Sequence, residues 1–364
     1  MPKQDEVSST RGLARRDLFK LGAGVATCFI AQRLPAMDAP QPLEAPRPAP
    51  TLGPFNPATA KAMPTRNLGK TGYKVGLFSL GCQAALEKPN NEAAAIPILE
   101  RALDLGVNYL DTSAIYGGPA RWSEHYVGKV MKHRRSEAFL ATKTHDRTRD
   151  GSLRLLEKSL ELLNTDYVDL WQLHAMSTME DVTKVFAKGG ALEAFQRAKE
   201  QKLVRYLGLS GHTDPEVLME AIKRFPFDTV LMAFNAADPH HLSFRGLLDL
   251  AVEREMGIIG MKIPARGRLL KGYTPPPADQ QRGTVKITRS GTLTIQEAMR
   301  YALSFPLSTV ILGVDNLTQL EEDVAIARNF TPLTPRQLAQ LEEKAGPVAG
   351  QSLWFRRNAP QNPK

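Results

Sequence analysis

From residue 77 onward two apolar patterns take turns along the chain. Short, nearly unbroken apolar runs, such as Phe139-Leu140-Ala141 and Val168-Asp169-Leu170-Trp171, fit strands buried on both faces. Longer stretches between them repeat apolar positions every three or four residues, the period of an amphipathic helix. Strands are predicted over 77–80, 108–111, 138–143, 167–173, 205–210, 229–234, 257–262 and 309–313. Helices are predicted over 91–105, 122–132, 152–163, 192–201, 215–224, 244–255, 294–304 and 317–328, with an extra helix over 334–344. Ahead of them, residues 66–80 read as a β-hairpin turning at Lys70-Thr71-Gly72 and running into the first strand.

Strict strand–helix alternation over about 250 residues predicts an α/β fold, a (β/α)8 TIM barrel with an N-terminal β-hairpin and a C-terminal extra helix. An open doubly wound sheet would want a glycine-rich loop after its first strand, and Gly81-Cys82-Gln83-Ala84 does not supply one. The stretch 262–293 is long for one connection, is rich in Gly, Pro and Arg, and follows the seventh strand. Loops of that length inside a compact domain are usually functional.

Barrel strands deliver reactive groups at their C-terminal ends. The run Val107 to Leu110 stops at Asp111, and Tyr116 follows five residues later, before a Gly-Gly turn. The next strand stops at Lys143, and the one after it at His174. Parallel neighbouring strands would bring Asp111, Tyr116, Lys143 and His174 to one rim. Asp238, His240 and His241 read as a surface loop, since adjacent histidines point apart, and no metal is expected.

Composition narrows the picture. The 364 residues, 42% of them hydrophobic, can bury a sizeable core. The net charge is +9, and the first 36 residues carry six basic and three acidic groups, so the remainder is near +6. No basic helix is interleaved with aromatics, so nucleic acid is an unexpected partner. Arg15-Arg16-Asp17-Leu18-Phe19-Lys20 resembles a twin-arginine export motif, and the apolar stretch 21–31 is too short for a stable membrane span. Residues 1–36 are therefore read as a signal peptide for the twin-arginine export machinery, with the mature protein exported to the periplasm; a cytoplasmic protein is the runner-up. Nine prolines between 35 and 64 make 37–64 a Pro-rich linker, leaving a barrel over 65–346 and a tail over 347–364. With Cys28 in the leader, Cys82 has no disulfide partner, and there is no cysteine cluster for zinc or iron–sulfur.

Residues 63–346 resemble the aldo/keto reductase family. The matching pieces are Arg66-Asn67-Leu68-Gly69-Lys70-Thr71-Gly72, Asn108-Tyr109-Leu110-Asp111-Thr112-Ser113, Tyr116-Gly117, Ala141-Thr142-Lys143, Leu173-His174, Gly208-Leu209-Ser210-Gly211-His212 and Glu321-Glu322-Asp323. The resemblance implies reversible carbonyl reduction or alcohol oxidation with NADP or NAD. It makes Tyr116 the proton donor, tuned by Lys143 and Asp111, with His174 orienting the carbonyl. An ordinary tyrosine titrates near 10. A nearby ammonium favours the phenolate, and a carboxylate holds that ammonium in place. No side chain supplies a hydride, which fits the implied nicotinamide.

By the same resemblance Ser210 touches the carboxamide, Gly211 stands where the family often has Asn, and Asn235 and Lys262 close the next two strands. Leu231 replaces a frequent Gln, and no aromatic stands in Gly260-Met261-Lys262-Ile263-Pro264 to stack on a nicotinamide. Arg266 and Arg268 follow the seventh strand, where barrels bind phosphate, and guanidinium forks suit a pyrophosphate. Asp315, at the start of the helix after the eighth strand, would repel a 2′-phosphate and accept a ribose hydroxyl; Glu322 and Asp323 match a family Glu-Asn pair near adenine. The implied substrate is a small carbonyl or alcohol, with a sugar as one candidate. A nicotinamide-binding sensor or regulatory module with little turnover is the alternative.

Overall fold

The hairpin forms from two short strands, β1 (Thr65–Asn67) and β2 (Lys74–Gly76), paired antiparallel. Gly69–Thr71 makes a 3-10 turn between them and Gly72 adopts φ +75°. Gly69 has φ +52°, and a Cβ there would stand 2.2 Å from the Gly257 nitrogen, so no other residue fits.

The apolar runs become β3 (Phe78–Gly81), β4 (Tyr109–Asp111), β5 (Phe139–Thr144), β6 (Val168–Leu173), β7 (Val204–Gly211), β8 (Thr229–Ala233), β9 (Gly257–Met261) and β10 (Thr309–Leu312). All eight are parallel, each beside its predecessor, and β10 closes on β3. The hairpin lies across the N-terminal end: the Tyr73 hydroxyl donates to Asn108 O at 2.7 Å and the Tyr206 hydroxyl to Thr71 O at 2.8 Å. Leu68 and Val75 join Tyr109, Phe139, Ala141, Leu170, Leu231 and Ile259 in one buried cluster. Each such large side chain contributes about 1.5–3 kcal/mol by burial.

The computed structural model describes residues 53–281 and 285–359. Pro54–Lys364 form one compact unit. The other, Met1–Gly53, holds the expected export signal and most of the linker, which lie outside the described residues. Around the barrel run α2 (Glu92–Asp104), α3 (Trp122–Arg134), α4 (Arg149–Leu162), α6 (Ala191–Glu200), α7 (Pro215–Arg224), α8 (Arg245–Glu253), α9 (Ile295–Leu303), α10 (Leu317–Arg328) and the extra helix α11 (Pro335–Ala345). Three short helices were not foreseen: α1 (Thr59–Ala62), α5 (Met179–Phe186) and α12 (Ala349–Ser352). Helix α5 begins with a capping box between Thr178 and Asp181. Among the described residues no helix is long and apolar enough to cross a membrane.

Two boundaries move. The linker expected to reach residue 64 is packed from Pro54: the buried Asn56 donates to Leu103 O at 2.7 Å. The tail expected from residue 347 belongs to the barrel rim through Ala359. Its Arg356 guanidinium is fully buried, 2.6 Å from the Asp238 carboxylate, and Arg357 pairs with Asp214 at 2.8 Å. Asp238 and Asp214 follow β8 and β7, so the end of the chain is fastened beside the strand ends that carry the candidate chemistry.

Candidate active site

Asp111 ends β4, Lys143 lies near the end of β5, and His174 follows β6 by one residue. Their registers place Asp111 beside Ala141, and Lys143 beside Gln172. Tyr116 reaches the same point from the turn after β4; Gly117 has φ +85°, and a Cβ there would stand 2.6 Å from Trp122 Cβ. The four groups predicted from strand ends do meet.

Lys143 forms a buried ion pair with Asp111, donates to Thr112 O at 2.7 Å and stands 3.5 Å from the Tyr116 hydroxyl. Both Lys143 and Asp111 are 1% exposed, so neither could be charged there without the other. The second Asp111 oxygen accepts from Gln172 Nε2 at 3.0 Å and the Tyr109 hydroxyl at 3.3 Å. The Tyr116 and His174 rings meet edge-on, centroids 5.7 Å apart. His174 Nδ1 lies 3.0 Å from Ser113 Oγ.

Burial works against the Lys143 ammonium, but Asp111 and then Tyr116 outweigh it, so its pKa is raised. For Tyr116 the expected lowering is not the net result. Burial raises the phenol pKa more than Lys143 lowers it, and Asp111 adds to the rise. The hydroxyl therefore holds its proton firmly. His174 is held well below the usual histidine value, first by burial and then by Lys143, and is neutral.

The expected cofactor residues divide by what their polar atoms already do. The Ser210 hydroxyl donates to Leu173 O at 3.1 Å and accepts from Ala175 N at 3.0 Å. Gly211 stands 2.7 Å, measured from a built Cβ, from Met176 O, which excludes a side chain where the family often has Asn. Asn235 donates to Lys262 O at 3.0 Å and accepts from Ala237 N at 2.9 Å. Arg268 does not reach into the mouth as a free fork: its guanidinium stacks 4.1 Å over the Trp354 ring and donates to Gln351 O at 3.3 Å. Asp315 is paired with Lys88 at 2.8 Å, so its charge is balanced and its repulsion of a 2′-phosphate is weaker than expected. Glu322 is exposed; Asp323 is buried, its carboxyl pushed up to about 8 by burial and then by Glu322.

Lys262 differs from these. No described residue forms a hydrogen bond or ion pair with its ammonium. Burial, then Arg266 and Lys143, push its pKa down to about 8. Arg266 is exposed beside it, also without a partner among the described residues. An anionic group such as a pyrophosphate would supply the missing counter-charge, so the residues present fit an anionic cofactor.

Sequence reasoning missed Gln172, Ser113, His212 and Lys88. A glutamine in a largely apolar strand run was one local signal; Ser113 and His212 stood inside stretches that match the family, and Lys88 carried none. His240 and His241 each donate a ring Nε2–H to a backbone oxygen, of Glu342 at 2.8 Å and of Arg357 at 2.7 Å, and among the described residues no cluster could hold a metal ion.

Comparison with known proteins agrees with the geometry. Residues 74–345 match the model of the aldo/keto reductase family. An uncharacterized oxidoreductase YqkF of Bacillus subtilis is 28% identical over 316 residues, spanning 77% of this chain and 96% of that protein. L-galactose dehydrogenase of Arabidopsis thaliana is 26% identical over 307 residues, 78% of this chain and 94% of its own. Among solved structures, the holo form of aldo-keto reductase AKR11C1 from Bacillus halodurans superposes with a TM-score of 0.63 at 26% identity, covering 78% and 96% of the two chains. With this match over most of its length, and with the barrel and rim constellation just described, the chain belongs to the aldo/keto reductase family of oxidoreductases.

Proposed function

We propose that the protein reduces a carbonyl, or oxidises the corresponding alcohol, with NADP or NAD and with Tyr116 as the proton donor. The observation that carries this reading is the Lys143 ammonium, tied to Asp111 and 3.5 Å from the Tyr116 hydroxyl. When bound, the nicotinamide supplies or takes up the hydride. Lys262 and Arg266 would hold its anionic part, with Ser210 and Asn235 bordering the same strand ends.

In the reducing direction the Tyr116 hydroxyl donates its proton to the developing alkoxide oxygen. The phenolate left behind sits beside Lys143, whose charge stabilises it more as negative charge accumulates. Asp111 keeps that ammonium in place, and Gln172 and Tyr109 keep Asp111 in place. Burial, which holds the phenol protonated at rest, leaves the acid loaded. The neutral His174 ring can donate one N–H to the carbonyl oxygen. In the oxidising direction the phenolate takes the alcohol proton.

A sugar is the substrate class to test first, because one relative is named for dehydrogenation of L-galactose. A panel of aldehydes, ketones and aldoses assayed with NADPH and NADH tests the reading. Cofactor binding with no turnover in either direction would replace the enzyme by a sensor. We also propose export by the twin-arginine route, on the strength of Arg15-Arg16 and the apolar stretch after them. N-terminal sequencing of the protein from its native cell decides that point; an intact leader on cytoplasmic protein would count against it.

A further inference from the structure

His174 presents a choice that catalysis cannot leave open. A neutral imidazole carries one N–H, and the bond made by one ring nitrogen fixes which nitrogen holds it. At a carbonyl oxygen the right tautomer offers a donor, whereas the wrong one turns a lone pair toward a lone pair. The carbonyl-facing nitrogen therefore has to be the protonated one.

The other nitrogen, Nδ1, lies 3.0 Å from Ser113 Oγ. Ser113 is fully buried and sits on the turn that joins Asp111 to Tyr116. Its hydroxyl makes no other hydrogen bond among the described residues. Were the ring to donate to Oγ, the serine proton would be buried without an acceptor. Were the serine to donate to Nδ1, only a lone pair would be idle, which is the cheaper arrangement. Nε2 has no hydrogen-bond partner among the described residues, so it is the nitrogen left for a ligand.

We infer that Ser113 is a positioning residue whose hydroxyl donates to His174 Nδ1, fixing the ring as its Nε2–H tautomer and in one orientation beside Tyr116. The use of that N–H rests on the reductase reading; the tautomer itself does not. One strand end and the turn after it thus carry the carboxylate that holds the ammonium, the hydroxyl that sets the imidazole and the phenol that gives the proton.

The test labels the histidines of the ligand-free protein with 15N and reads tautomers from long-range 1H–15N correlations, with His174→Gln identifying the ring. The expected wild-type spectrum shows His174 with protonated Nε2 and bare Nδ1. Ser113→Ala is expected to populate both tautomers and to lower kcat about tenfold or more, the scale of a misplaced catalytic group, with cofactor KM unchanged. Ser113→Thr, which keeps the hydroxyl, is expected to restore the single tautomer. A wild-type His174 protonated at Nδ1 overturns the inference without any variant. So does a Ser113→Ala protein that keeps pure Nε2–H and wild-type kcat. The expected spectra from a wild type that turns over nothing would uphold the Ser113 bond and sink the reductase reading.

Discussion

The Lys143 nitrogen, held in a buried ion pair with Asp111, stands 3.5 Å from the Tyr116 hydroxyl, the contact on which the proposed proton transfer rests. Tyr116→Phe removes the proton and little else, because that hydroxyl makes no other hydrogen bond among the described residues. We expect kcat to fall at least about 10²-fold, the scale of positioned acid catalysis, with the unfolding midpoint nearly unchanged. Steady-state kinetics on any substrate found in the panel provide the check. A tenfold loss or less would mean that another group protonates the product.

Lys143→Met leaves the Asp111 carboxylate buried without its partner. The expected loss is about 3–5 kcal/mol in denaturant unfolding, together with loss of turnover. Adding Asp111→Asn to that variant removes the stranded charge. The double variant is expected to recover part of the stability and none of the activity. Equal stability of the single and double variants would show that Asp111 is not held charged by Lys143.

His212 links stability to acid. Its Nδ1 is buried and unpartnered, and burial, then Lys262, Arg356 and Arg266, push its pKa down to about 3. An unfolded histidine titrates near 6.5, so as pH falls the unfolded chain takes up the proton first. The contribution is intact above about 6.5 and is lost as pH falls toward the folded value, at up to about 1.4 kcal/mol per pH unit. Because the residue is partly exposed, that slope is an upper limit. Urea unfolding at pH 7 and pH 5 should find the wild type losing up to about 2 kcal/mol more than His212→Gln. Equal losses would remove His212 from the acid limb.

Lys262 is expected to face the anionic part of the cofactor. Lys262→Met should weaken NADPH binding about tenfold or more, the scale of one charge-assisted hydrogen bond, and make the remaining affinity less sensitive to salt. Fluorescence titration at two ionic strengths measures both. Unchanged affinity would assign the depressed ammonium to the substrate side of the mouth.

The sequence by itself determined the eight strand–helix units and the four candidate groups at or just beyond their ends. Those features are local: a buried strand writes an unbroken apolar run, a helix writes its period, and Asp111, Lys143 and His174 stand where their runs stop. Tertiary structure alone decided what each group is bonded to. Gln172 meets Asp111 across 61 residues, Lys88 meets Asp315 across 227 and Arg356 meets Asp238 across 118, all because the barrel closes and the chain end folds back over the rim. It also decided the sign of the Tyr116 shift. Spacing names the ammonium that lowers a phenol pKa, but burial raises it further, and burial belongs to the packed molecule rather than to any stretch of chain.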